Sequence, residues 1–548
     1  MSTIERQLPQ CLNILQTSSN NNGFKFSPTK TNCIHFCQKR TVHNDPELFL
    51  NNIRIPVVKE TKFLGVIFDS KLSFIPHIKY VKTKCLKSLN LLKFLSHTDW
   101  GADRNILLHL YRSLVRSKLD YGSIVYGSAR RSYLQMLDVV HNQGLRLALG
   151  AFRTSPVESL YVEANEPSLY LRREKLALQF IVKIKSNPKN PVHDTVFNPK
   201  YESIYERKPT AIKPFGLRML ETVKSSHLNL TKIEENTILE SPPWQLKTPI
   251  VDLSLCDNNK LNTDHLILRS RFLELRNRKY SDYIEIYTDG SKADSYVGCA
   301  SISKFHSTKQ KLPADSSIFT AEVQAVNLSL DYISESSGSK FVVFSDSLSV
   351  LQSIKNINLT NPYISKLLLK LNELPLDKTI VFCWLPSHVG IRGNEDADKS
   401  AKSASTLVEA DVCIPHTDFK PYINKYILTK WQTSWDNTIL NKLHEIKPNV
   451  GGTISICRDD RREDVALTRC RIGHTRLTHS YLLLKEIQPE CIPCQEPLTV
   501  SHLLIHCTDT DQIRSTYFNV NTMYELFKTV SDSKLVCFLN AINILHKL

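Results

Sequence analysis

The chain contains no run near the roughly 18 consecutive apolar residues that a membrane-crossing helix needs, so no membrane partner is expected. Its first residues, Met1-Ser2-Thr3-Ile4-Glu5-Arg6, lack the apolar core of a secretory signal. Its fourteen cysteines form no dense framework. Most, such as Cys256, Cys299 and Cys383, stand alone in apolar surroundings that suit buried thiols. Disulfides are not expected, and a reducing intracellular setting is. Acids are in deficit: 54 Asp and Glu against 70 Lys and Arg leave a net charge of +16. That excess points to a polyanionic partner. The basic residues are scattered and form no obvious basic amphipathic helix, which favours nucleic acid over a membrane surface. A length of 548 residues leaves room for roughly two to four domains.

What is present is concentrated between Tyr283 and Ser405. Four acids there each stand where an acid can hold metal. Asp289 follows Ile284-Glu285-Ile286-Tyr287, which alternates like a strand, and Gly290 behind it predicts a sharp turn. Glu322 lies near the start of a helix whose Phe319, Val323, Val326, Leu330 and Ile333 keep helical spacing. It borders that apolar stripe, so it is expected to face the sheet edge. Asp346 ends the apolar run Phe341-Val342-Val343-Phe344, the pattern of a buried strand. Asp398 lies on a helix where Ala397, Ala401 and Ala404 make a small-residue face for close approach to a sheet. Acids at two strand ends and on two helices can converge at one edge of an α/β sheet. Such a cluster is costly unless cations neutralise it. Hard divalent ions with oxygen ligands, Mg²⁺ or Mn²⁺, suit it. Two of them about 4 Å apart can clamp the attacking and leaving oxygens of a phosphodiester. Any one of these acids alone reads more simply as a solvated surface residue.

The succession Thr288-Asp289-Gly290-Ser291, Ala321-Glu322, Ser345-Asp346-Ser347, Trp384-Leu385-Pro386-Ser387-His388 and Gly393-Asn394-Glu395-Asp396-Ala397-Asp398 resembles the type 1 ribonuclease H family. The resemblance implies an α/β fold, a five-stranded mixed sheet with flanking helices. It also implies two Mg²⁺ (or Mn²⁺) ions and cleavage of the RNA strand of RNA–DNA hybrids. By motif position Asp289, Glu322, Asp346 and Asp398 match the family's metal-binding acids. His388 matches the histidine on the mobile loop before the last helix, implicated there in product or metal release. Some cellular members carry a separate basic, tryptophan-containing helix that grips the hybrid. Here Ser347 to Lys378 holds only the dispersed Lys355, Lys366, Lys370 and Lys378. Hybrid affinity is therefore expected to depend on neighbouring regions.

Upstream, residues 10–16 look like the tail of an amphipathic helix, and 20–31 like a turn, a strand and a Ser-Pro break. Ile34-His35-Phe36 and Thr61 to Asp69 read as strands, the latter with Gly65 at its centre. The matches 23–31 and 63–69 resemble the end of the reverse transcriptase palm in jockey-type non-LTR retrotransposons. In that family a two-aspartate polymerase box precedes the first match. The only adjacent aspartates here, Asp459-Asp460, sit in an Arg-rich, non-strand setting, so polymerase activity is not expected. Residues 77–150 read as helical and resemble the thumb of the same elements, with Asp103 predicted to cap a helix. Arg112, Arg116 and Lys118 fall on exposed positions, to track a phosphate backbone or simply to face solvent. From 185 to 277, Pro188, Pro191, Pro209, Pro214, Pro242 and Pro243 break up any long element and predict a connector.

In the tail, Trp431 and Trp435 predict an amphipathic helix. The stretch from Leu467 to Tyr481 is dense in Arg, His and hydroxyls, fit either for phosphates or for a polar helix surface. Cys491, Cys494, His502 and Cys507 follow as C-x2-C-x7-H-x4-C, a donor set that closes a tetrahedral structural Zn²⁺ site. Jockey-type elements carry a similar motif after the nuclease. His506 could stand in for Cys507, and two buried cysteines beside a helix histidine is the simpler alternative. The expected organisation is a palm end (1–76), a helical thumb-like region (77–184), a connector (185–277), a ribonuclease H domain (278–407) and a helical C-terminal region (408–548) carrying the Cys/His motif (491–507). The expected activity is metal-dependent cleavage of RNA in RNA–DNA hybrids. The alternative is a catalytically inactive nucleic-acid-binding remnant of a mobile element.

Overall fold

The computed structural model describes residues 2–37, 44–200, 202–207, 213–236, 242–256, 263–452 and 460–548. Asp459 and the Lys208-Pro209 pair lie outside the described residues. Two compact units are present. One comprises Met1–Leu176, Ser203–Phe215 and Ile427–Leu548; the other comprises Ala177–Glu202 and Gly216–Tyr426. No helix among the described residues is long and apolar enough to cross a membrane.

The second unit is built on a mixed sheet. Its elements are β1 (Ile250–Asp252), α1 (His265–Lys279), β2 (Ile284–Ala293), β3 (Tyr296–Ser303), β4 (Ser307–Leu312), α2 (Ile318–Glu335), β5 (Lys340–Ser345), α3 (Leu348–Lys355), α4 (Pro362–Glu373), β6 (Thr379–Trp384) and α5 (Arg392–Ser403). The strand order is β1-β6-β5-β2-β3-β4. β2, β3 and β4 pair antiparallel, whereas β5 and β6 run parallel to β2 and to each other. Five strands are those expected. The sixth, β1, comes from the Pro-containing stretch and runs parallel to β6.

Both faces of the sheet are covered, which is why Phe341 to Phe344 reads as an unbroken apolar run. Phe341 and Val343 point into a core with Val323, Val326, Leu330 and Ile333 of α2. Val342 and Phe344 point into the opposite core with Leu268, Phe272 and Leu275 of α1 and Ala397 of α5. Each such α1 side chain contributes roughly 1.5–3 kcal/mol by burial. The expected connector is thus no plain linker over its second half, because its apolar residues complete this core. Ala401 and Ala404 do allow close approach: a Cβ at Gly298 of β3 would lie 2.2 Å from the Ala401 carbonyl oxygen.

In the first unit, a helix runs over Ser2–Asn21, but residues 24–26 and 34–36 are not strands. The strand expected from Thr61 to Asp69 is a hairpin, Glu60–Phe63 paired with Val66–Asp69. Gly65, at φ +84°, supplies the left-handed turn between them. Helices fill most of residues 75–149, with breaks such as 96–103, and the Asp103 side chain caps its helix by accepting from the Asn105 and Ile106 amides. Arg112 and Arg116 are not free for phosphates: both pair with the buried Glu166. Lys118 donates to Ser88. Trp431 and Trp435 are buried on the helix Phe419–Asp436.

Much of the stretch from Leu467 to Tyr481 faces inward, although Arg476 is exposed. Thr468, Arg471, Thr475, Thr478 and His479 are buried. Arg471 donates to Glu163 at 2.9 Å, Arg104 reaches the same carboxylate at 3.2 Å, and Lys447 at 2.8 Å. Burial alone would raise the Glu163 carboxyl, but Arg471, Lys447 and Arg104 outweigh it and hold it down at about 2. Glu163→Gln would strand these cations in the interior. Thermal or urea unfolding of the variant is expected to show a loss of about 3–5 kcal/mol. An unchanged midpoint would show that the network adds nothing to stability.

Candidate functional site

Asp289 lies at the middle of β2, paired across to Ala300. The anticipated turn at Gly290 does not occur, since the strand continues to Ala293. Gly290 is there for space: a Cβ would lie 2.8 Å from the Glu322 amide nitrogen. This close approach lets α2 bring Glu322 over the strand. Ser317 caps α2 by accepting from the Thr320 amide. Buried Asp418 reinforces that end, accepting from the Ser317 amide at 2.8 Å and the Thr320 hydroxyl at 2.6 Å. Asp346 follows β5, and its backbone carbonyl accepts from the Trp384 indole at 3.1 Å.

Ligand oxygens of Asp289, Glu322 and Asp346 all lie within 4.8 Å of one another. Asp289 is 6% and Glu322 7% exposed. Burial, then the charges of Asp346 and Asp398, push the Asp289 carboxyl up to about 8. Burial, then Asp289 and Asp346, raise Glu322 well above the usual carboxylate range. One Glu322 oxygen, Oε2, is buried without a hydrogen-bond partner. Three oxygen donors, mutually repelling and one of them unpartnered, fit a hard divalent cation.

Asp398 is not in this triad. It stands alongside, close enough for its charge to raise Asp289, and Lys402 donates to it at 2.7 Å. His388 is exposed on the loop after β6, with φ +57°, and is also outside the triad. Two further residues escaped the sequence reading. Buried Asn394 of α5 donates to Asp346 at 3.4 Å, and Asp418 buttresses the helix that carries Glu322. The signal for Asn394 lay inside the quoted motif, one residue past Gly393; Asp418 carried none.

The proton affinities set a direction for stability. An acid raised in the fold stabilises it fully below its ordinary value near 3.8 and loses that contribution as pH rises towards about 8. The metal-free protein is expected to lose on the order of a few kcal/mol over that window. If the acids hold Mg²⁺, its addition is expected to flatten the loss. Calorimetric melting at about pH 5 and pH 8, with and without Mg²⁺, checks this. A flat metal-free profile would contradict the clustering.

The second cluster lies in the first unit. The short strands Glu490–Cys491 and Glu496–Pro497 pair as a tight hairpin, and His502–His506 forms one wide helical turn. Donor atoms of Cys491, Cys494, His502 and Cys507 all lie within 4.8 Å of one another. The Cys507 sulfur is 3.8 Å from that of Cys491 and 4.0 Å from that of Cys494. Thiolates at about 2.3 Å from a tetrahedral Zn²⁺ stand about 3.8 Å apart, so the spacing fits. Hydrogen bonding from Thr508 draws the Cys494 thiol down to about 6. His502 Nδ1 meets Glu496 at 3.1 Å, while Nε2 is buried and without a partner. A carboxylate on one ring nitrogen leaves the other ready to ligate. Of the two alternatives for the fourth donor, Cys507 joins the cluster; His506 is exposed and does not.

Residues 281–406 match the family model for RNase H. They form a ribonuclease H domain. The triad of acids lies within it, while β1, α1 and Asp418 lie outside the matched residues. Over part of its length the chain is homologous to polyproteins of R1- and jockey-type retrotransposons. It is 26% identical over 167 residues to a retrovirus-related Pol polyprotein from the type-1 element R1 of Bradysia coprophila, covering 30% of this chain and 17% of that protein. It is 27% identical over 150 residues to the RNA-directed DNA polymerase from mobile element jockey of Drosophila melanogaster, covering 26% and 16%. A probable RNA-directed DNA polymerase from the X-element of the same species is 23% identical over 122 residues, covering 22% and 13%. The matched region thus spans 13% to 17% of the length of these relatives. A ribonuclease H domain in a retrotransposon-related chain supports a nuclease function in general.

Proposed function

We propose that this chain is a divalent-metal-dependent endonuclease that cuts the RNA strand of RNA–DNA hybrids. The observation that carries this is the buried triad of Asp289, Glu322 and Asp346, whose ligand oxygens converge within 4.8 Å. These three would hold the metal, with Asp398 completing the shell on release from Lys402. When bound, paired Mg²⁺ or Mn²⁺ ions lower the pKa of the attacking water and offset charge on the leaving 3′ oxygen. The protein's own part is to hold the carboxylates in place. Asn394 fixes the Asp346 oxygen, and the Ser317–Asp418 cap fixes the start of the Glu322 helix. His388, exposed on the loop before α5, would take part in product release. RNA is told from DNA by contacts to the 2′-hydroxyl. The net charge of +16 supports a nucleic-acid partner.

Incubating the full chain with a labelled RNA–DNA hybrid and Mg²⁺ tests this. RNA-strand cleavage leaving 5′ phosphates is expected. Binding without cleavage would favour an inactive nucleic-acid-binding remnant. The Cys/His cluster is, on the same footing, a structural Zn²⁺ site that ties the 490–507 segment together.

A further inference from the structure

A groove of about 770 Å³ opens on the sheet face covered by α1 and α5. Arg269 and Arg276 of α1, Lys304 and Phe305 at the β3–β4 turn, Tyr283 before β2 and Arg392 at the start of α5 line it. α1 is basic along its length, with Arg269, Arg271, Arg276, Arg278 and Lys279. Its apolar stripe is used in the core, so the arginines are left on its flanks. Arg269 lies seven positions before Arg276, so the two share one flank, the one that faces the groove. Arg276 is engaged by Glu285 at 2.5 Å, and Arg392 approaches Asp396 at 3.8 Å. Arg269 and Lys304 have no ion pair among the described residues, and both are exposed. Phe305 is 76% exposed.

Two cations without a carboxylate partner stand beside an exposed ring, the Lys304 ammonium itself 5.4 Å from the Phe305 ring centroid, and together they describe one kind of ligand. Phosphates match the cations, and an unstacked base matches the ring. Bases inside a duplex are already stacked and cannot lie on Phe305. We infer that this groove binds a single-stranded nucleic-acid segment, with Phe305 as a stacking platform and Arg269 and Lys304 on the backbone phosphates. Tyr287 lines the same groove two residues before Asp289 on β2. A strand held there lies next to the triad and not in it. The site uses α1, which the matched family residues do not include. It adds affinity for hybrids that carry a single-stranded extension.

The inference rests on the nuclease reading, and the test separates the two. Full-length protein is given a blunt RNA–DNA hybrid and the same hybrid with a single-stranded extension of about 12 nucleotides. In Ca²⁺ the wild type is expected to bind the extended hybrid about tenfold more tightly. Arg269→Ala/Lys304→Ala/Phe305→Ala should abolish that preference and flatten its salt dependence, while blunt-hybrid cleavage at saturation in Mg²⁺ stays the same. Phe305→Trp should retain the preference. All three residues are exposed, so folding is not at issue. Equal affinity of the wild type for both hybrids, or a preference that survives the triple variant, overturns the groove while leaving the nuclease intact. Absence of any binding or cleavage by the wild type overturns both.

Discussion

Asp289→Asn is expected to reduce hybrid cleavage by roughly a thousandfold or more, with binding in Ca²⁺ retained. The side chain keeps its shape and loses its charge. Asp289 is the most central of the acids: it is coupled to Asp346 and Asp398, and it also raises Glu322. Removing its charge leaves two carboxylates to hold what three held. Several kcal/mol of electrostatic stabilisation would disappear from the reaction, which at about 1.4 kcal/mol per decade is three orders of magnitude or more. The same substitution relieves repulsion in the metal-free state. The variant should therefore melt higher than the wild type near pH 8 without metal, where Asp289 would be ionising. Loss of activity together with gained metal-free stability distinguishes a removed ligand from a damaged fold. Full activity in the variant would refute the assignment of the triad.

Cys507→Ser is expected to release bound zinc and unfold the 490–507 segment. Cys507 is 3% exposed, and its sulfur lies near those of both Cys491 and Cys494. Isolated zinc modules draw on the order of 10 kcal/mol of folding free energy from the ion. The loss here is smaller, because Val500, Leu504 and Ile505 also pack into an apolar core with Leu535 and Phe538. Elemental analysis should find about one zinc per wild-type chain and none in the variant. A strong chelator should lower the melting temperature of the wild type and leave the variant unmoved. A wild-type chain that carries no zinc, with melting insensitive to chelation, would reduce the cluster to buried thiols beside a histidine.

Much of the nuclease fold was legible in the sequence, because its signals are local. Strand alternation before Asp289, the apolar run of β5 and the stripe on α2 each follow from side chains a few residues apart. The same holds for the Asp103 cap and the Cys491-x2-Cys494 turn. The N-terminal stretch was read less well. A glycine inside an apparent strand turned out to make the turn of a hairpin at Gly65, because two short strands and one long strand share the same alternation.

The order of the acids and of the Cys/His donors is thus a property of the sequence alone, as are the strands and helix that carry them. What only the tertiary structure decided depends on partners distant along the chain. Gly290 gives room to Glu322 on another element. Glu163 recruits Arg471 from 308 residues away, and so turns an apparently phosphate-ready stretch inward. The apolar stripe of α1 closes the core of a domain whose matched residues begin after it. Charge and close packing act through space, and neither leaves a periodic trace along the chain.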